Sequence, residues 1–348
     1  MSMKSNKWVI IISILAAVLV AVSAAVILLQ LSNLKTDLSK DAGKQETKKE
    51  KLILGFSQIG SESAWRTRNT QSIFEAAEEN NIQIIFDDAQ QKQENQLKAI
   101  RSFIVYQVDV IAFVPIVEDG WDKVLMEAKE AGIPVIIVDR QINASPDLYA
   151  GFLGENGFTE GQSAGKFLVK KCENDMRNKI NILEFSGTEN SSVATGRANG
   201  FRDVIKNNPK FRIIHSVDGD FLRSRGKEIM DKIIAENKGL LQIDGQRVDV
   251  IYSHNDSMTL GLLDSLKKNQ ISPVNTIIIS IDAEQKSIDA LTQGKLNCVV
   301  ECNPNLGPAL MDLVIKIKNG EKIPRETYTE ETVFTEDDDF STYKPRGY

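Results

Sequence analysis

The sequence predicts an α/β protein. Two parallel sheets, each covered by helices on both faces, form separate lobes, and one membrane-spanning helix precedes them. Three observations carry this expectation. Short β-branched apolar runs alternate with stretches of helical period from Leu52 onward. These runs divide evenly around residue 153, which suits two open sheets better than one very wide one. A long apolar segment stands near the N-terminus.

The runs are LILGFS (52–57), IQIIFD (82–87), VDVIAFV (108–114), IPVIIVD (133–139), KINILEF (179–185), FRIIHS (211–216), VDVIYS (248–253) and TIIISID (276–282). They lack clean polar alternation and read as parallel strands buried on both faces. Between them AIRSFIVYQ (99–107) and GLLDSLKK (261–268) carry helical spacing.

The apolar segment runs from Trp8 to Leu29, interrupted only by Ser13 and Ser23. At ~1.5 Å per residue it reaches across a bilayer core. Lys4 and Lys7 precede it, so residues 1–7 are expected in the cytoplasm, 8–30 as an anchor, and the body outside the cell. A cleaved signal peptide is the alternative, and it exports the body too. Residues 31–51 are polar and read as a tether.

The 348 residues are 42% hydrophobic and 26% charged, a globular composition. Net charge is -6, while residues 1–50 hold seven Lys against four acids, so the body is acidic. With no arginine-rich stripe it does not read as a nucleic-acid binder. Three Cys and two His leave little room for a structural zinc or a disulfide framework. Cys298 and Cys302 lie too far apart along one strand to bridge, and Cys172, Cys298 and Cys302 are expected as free thiols. HExxH, CxxC and P-loop patterns are absent, and the chain does not read as an enzyme. No cofactor or metal is expected.

Ligands of open parallel sheets bind beyond the carboxyl ends of the strands. Polar groups gather at these ends in both halves: Glu62, Trp65 and Arg66 after the first run, Asp139 and Arg140 after the fourth, Asn255 after VDVIYS, and Asp282 closing TIIISID. This is more than helix capping requires.

The segments GFSQIGSESAWR (55–66), QQKQENQLKAIRSF (90–103), IPVIIVDR (133–140), GDFLRSRGKEIM (219–230), YSHNDSM (252–258) and PNLGP (304–308) resemble the sugar-binding proteins of ABC transporters. The class is that of ribose and galactose binders, the similarity is greatest to the galactofuranose-binding subgroup, and it spans 52–348. It implies the periplasmic binding protein type I fold, with lobes at 52–152 plus 302–326 and at 153–301 plus 327–348, joined by three hinge crossings. It also implies one monosaccharide in the cleft, and a monomer serving an ABC permease. A membrane-anchored sensor subunit for a histidine kinase or chemoreceptor is the alternative, motivated by the spanning segment.

A sugar presents apolar CH faces and a rim of hydroxyls. Trp65 and Phe221 suit the faces; Glu62, Arg66, Asp139, Arg140, Arg197, Asn255 and Asp282 suit the rim. The resemblance assigns Arg197 to sugar reading. Asn156, Asn305 and Glu301 are secondary candidates, with helix capping or a hinge position as the other reading.

Overall fold

The computed structural model describes residues 51–348, residues 22–32 and positions 14 and 18. Residues 22–32 are helical. Most of the expected span at 8–30, the N-terminus at 1–7 and nearly all of the tether lie outside the described residues. Among those described, no helix is long and apolar enough to cross a membrane, so the expected N-terminal membrane helix is not supported. The chain divides into residues 1–51 and residues 52–348, and the second unit carries both sheets.

The first sheet contains β1 (Ile53–Gln58), β2 (Gln83–Asp88), β3 (Val110–Phe113), β4 (Val135–Val138), β5 (Gly151–Gly154) and β13 (Glu326–Tyr328). Their order is β13-β5-β4-β3-β1-β2, with every pairing parallel. The second contains β6 (Ile180–Ser186), β7 (Phe211–Asp218), β10 (Val250–Ser253), β11 (Ile277–Asp282), β12 (Cys298–Glu301) and β14 (Val333–Thr335). Its order is β14-β12-β11-β10-β6-β7, with only β14 antiparallel. A small hairpin joins β8 (Gln242–Ile243) to β9 (Gln246–Arg247). By strand membership the chain passes between the sheets three times: from β5 to β6, from β12 to β13, and from β13 to β14. β5 ends at Gly154 and β13 at Tyr328, slightly beyond the lobe limits expected at 152 and 326.

Helices cover both faces of each sheet because successive side chains of a buried strand point to opposite faces. In β3 and β4, Val110, Ala112, Ile136 and Val138 pack toward α1 (Ala64–Glu79) and α9 (Gly307–Lys318). Ile111, Phe113, Val135 and Ile137 pack toward α2 (Gln93–Val105) and α3 (Asp122–Glu130). In the second sheet, Leu183, Phe185, Ile251 and Ile278 face α6 (Arg223–Glu236), α7 (Asp256–Lys268) and α8 (Gln285–Thr292). Ile182, Val250, Tyr252 and Ile279 face α4 (Gly157–Lys171) and α5 (Ser192–Ile205). Truncating one of the Ile, Leu or Phe side chains among these to Ala is expected to cost ~2–5 kcal/mol.

The expectation that every run is buried on both faces fails for β2 and β7. Both are edge strands and partly exposed, which the polar residues of QIIFDD and FRIIHSVD accommodate. The three cysteines are free and buried.

The crossing of α4 and α5 is unusually close. A Cβ at Gly161 would stand 2.2 Å from the Arg197 carbonyl oxygen, so only glycine fits there. This approach brings Glu160 on α4 against Arg197 on α5.

Candidate functional site

All nine candidate side chains line one cavity between the lobes. From the first lobe come Glu62 on the β1–α1 loop, Trp65 and Arg66 on the first turn of α1, and Asp139 and Arg140 beyond β4. From the second come Arg197 on α5, Phe221 between β7 and α6, Asn255 at the start of α7, and Asp282 closing β11.

Local sequence fixes these positions. Ser63 caps α1, its Oγ accepting from the Arg66 N–H at 3.0 Å, so the helix begins with Trp65 and Arg66 facing the cavity. Asn255 caps α7 in the same way, accepting from the Met258 N–H at 3.0 Å, while its amide donates to the Phe221 carbonyl at 3.2 Å. Asp139 (φ +64°), Phe221 (φ +59°) and Asp282 (φ +122°) all have left-handed or more extreme backbones. Such conformations cost energy and concentrate where function requires them. Phe221 needs a glycine opposite: a Cβ at Gly187 would lie 1.9 Å from its ring.

The first-lobe wall is a chain of alternating charges. Arg66 Nε donates to Glu62 Oε1 at 2.9 Å, and Arg66 Nη2 stands 2.6 Å from Asp139 Oδ2. Arg140 lies 3.9 Å from both acids and donates to the Ile116 carbonyl at 3.1 Å. Burial alone would drive the Asp139 carboxyl up, but Arg66 and Arg140 bring it below its usual range. Burial and the like charge of Arg66 lower the pKa of Arg140. The Arg66 guanidinium also sits over the Trp65 ring, 4.7 Å from its centroid, so one indole face is covered by a cation.

Opposite, Arg197 makes a two-pronged pair with Glu160 at 2.8 and 3.1 Å, donates to the His254 carbonyl at 2.6 Å, and comes within 3.8 Å of Asp282. Burial disfavours its charge, yet Glu160 holds it firmly protonated. Burial pushes Asp282 well above the usual carboxylate range, with Arg197 only partly opposing. Arg140 and Arg197 flank the Phe221 ring at 5.3 and 6.0 Å. His254 is buried against Glu184 at 3.2 Å, and burial lowers its pKa, which fits a structural rather than a catalytic histidine.

Residues 54–322 match the model of the periplasmic binding protein domain. The chain belongs to this family. It is 38% identical over 304 residues to the galactofuranose-binding protein YtfQ of Escherichia coli K12, covering 85% of this chain and 93% of that one. A solved structure from Mycobacterium smegmatis in complex with β-D-fucofuranose is 41% identical, with a TM-score of 0.77, over 82% of this chain and 91% of that one. The binding component of the arabinose ABC transporter of Shewanella sp. ANA-3, solved with α- and β-L-arabinofuranose, is 38% identical with a TM-score of 0.76, over 82% and 92%. These relatives are solute-binding proteins, not enzymes. Membership in the family implies a location outside the cytoplasm.

This periplasmic binding protein lines its cavity with groups the sequence reading passed over: Ser63, Val193, Cys302 and Glu155. Glu155 follows β5, whose sequence GFLG is too short and glycine-rich to register as a strand. It is 4% exposed and hydrogen-bonds Asp139. Burial, with Asp139 nearby, pushes its pKa well up. Glu62 Oε2 and Arg66 Nη1 are buried and unpartnered. The secondary candidates do other work. Asn156 caps α4, Asn305 accepts from Arg68, and Glu301 pairs with Arg346. Glu160, Cys302 and Glu331 bring ligand atoms within 4.8 Å of one another, but both Glu160 oxygens are engaged by Arg197.

Proposed function

We propose that the protein closes around one monosaccharide, preferentially a furanose such as galactofuranose or arabinofuranose, and delivers it to an ABC importer. One observation carries this reading. The cavity presents Glu62 Oε2 and Arg66 Nη1, buried and unpartnered, in a lining that also holds the aromatic rings of Trp65 and Phe221. Leaving such groups unpaired costs ~1–3 kcal/mol each, and sugar hydroxyls, which both donate and accept, satisfy them together. The similarity to proteins described as galactofuranose-binding or solved with furanoses supports the ring form.

In this reading Glu62, Arg66, Asp139, Arg140, Arg197, Asn255 and Asp282 bind hydroxyls, while Trp65 and Phe221 border the ring. The lobes are residues 52–152 with 302–326 and 153–301 with 327–348, acting as a monomer. Residues 8–30 anchor the body, outside the cytoplasm, through the tether at 31–51. The sensor alternative rests on that tether alone.

Thermal melting of the full chain against a panel of hexoses and pentoses tests the proposal. At 100-fold over Kd, a true ligand adds about 2.7 kcal/mol of stability. A panel that leaves the melting temperature unmoved refutes it.

A further inference from the structure

α1 starts inside the cleft wall, yet its first turn contains no acidic residue to complement the helix dipole. The missing carboxylate comes from the other lobe. Glu284, between β11 and α8, reaches across so that its Oε1 accepts the backbone N–H of Trp65 at 3.2 Å. Glu284 is 3% exposed and does not line the cavity. Its own backbone is pinned within the second lobe, its N–H donating to Asp256 Oδ2 at 2.6 Å, while Ser257 Oγ donates to the same Oε1 at 3.4 Å. The indole of Trp65 follows the same direction and packs in the apolar cluster of the second lobe.

We propose that Glu284 is a positioning residue, a latch that accepts from the N-terminus of α1 only when the lobes are together and thereby sets ligand affinity without touching the ligand. The inference rests on the closure reading above. Other hydrogen bonds cross between the lobes, such as Glu118 N–H to the Asn190 carbonyl at 3.1 Å and Gln141 N–H to Ser192 Oγ at 2.7 Å, but they join first-lobe loops to the Asn190 loop and to the first residue of α5. Only the Glu284 bond seizes the helix turn that carries Trp65 and Arg66, so closure and the shaping of the cavity wall happen in one motion. A latch of this kind raises the fraction of molecules in the binding-competent state, and apparent affinity scales with that fraction.

The test compares wild type, Glu284→Ala and Glu284→Gln in the full chain. Spin labels on exposed helix positions of the two lobes report interlobe distance, and calorimetry with the sugar found in the panel reports Kd. Loss of one hydrogen bond predicts a Kd about 2- to 12-fold weaker for Glu284→Ala. The closed fraction should be smaller with and without sugar, and the melting temperature of the sugar-free protein should hardly change. Glu284→Gln keeps the accepting oxygen and should recover affinity and closure. Identical distance distributions for wild type and Glu284→Ala overturn the latch, as does a glutamine variant no better than alanine. An equal loss of sugar-free melting temperature overturns it too, because the role is then confined to the second lobe. If no sugar moves the wild-type distances, the sugar reading fails, and the ligand-free comparison still decides the latch.

Discussion

Gly187→Ala is the sharpest probe of the cleft, because it adds one methyl group and alters no charge. The new Cβ would stand 1.9 Å from Phe221 Cζ and within 2.3 Å of both Cε atoms. Ordinary carbon contacts lie near 3.5–4.0 Å, so the ring must withdraw by roughly 1.5 Å or more. Phe221 is held in a left-handed backbone, and Arg140 and Arg197 flank its ring, which leaves little room to retreat except into the cavity. Overpacking of this sort costs ~1–3 kcal/mol of stability. Displacing an aromatic face from a sugar costs a further ~0.5–1.5 kcal/mol of binding, or about 2- to 12-fold in Kd. Calorimetry and thermal melting on Gly187→Ala, Phe221→Ala and the double variant separate these terms. If the methyl acts through the ring, the double variant binds no worse than Phe221→Ala alone. Unchanged affinity in Gly187→Ala, or additive losses in the double variant, would refute the placement of Phe221 against the ligand.

Arg197→Ala strands Glu160 in the interior, so it should lose ~3–5 kcal/mol of stability as well as ligand affinity, and Glu160→Gln in the same chain should restore part of the melting temperature. Asp256 is fully buried, and burial next to Glu284 pushes its pKa up to about 8. Its folded form therefore holds a proton that the unfolded chain releases near pH 4, and the melting temperature should fall as pH rises from about 4 to 8. Asp256→Asn should flatten that decline, and a parallel curve would exclude Asp256 as its source. Cys302 lines the cavity, whereas Cys172 and Cys298 are buried elsewhere. Alkylation followed by mass spectrometry should find Cys302 protected by sugar and the other two slow in both conditions; equal rates at Cys302 would mean that the cleft does not close over it.

The central strands were readable because β-branched runs without alternation have one structural meaning, and the rule that ligands gather at the carboxyl ends of parallel strands led directly to Asp139, Asn255 and Asp282. The same rule would have reached Glu155 had GFLG been read as a strand. β13 and β14 are three-residue edge pieces, too short and polar to carry a period. Glu160 and Glu284 were invisible for a different reason. Each acts on a partner far along the chain, Arg197 and the Trp65 N–H, and such pairings arise only when helices cross or lobes meet. Trp65 itself was ambiguous between core packing and ligand contact, and in the structure it packs in a core cluster while lining the cavity.

Three chain passages between two sheets also govern how quickly such a molecule works. A single tether would let the halves tumble independently, and each encounter with a solute would wait on a rotational search. Three roughly adjacent strands of backbone leave little beyond bending about one axis. The jaws thus stay aimed at each other while apart, and capture is paced by the arrival of solute rather than by the halves finding their mutual orientation.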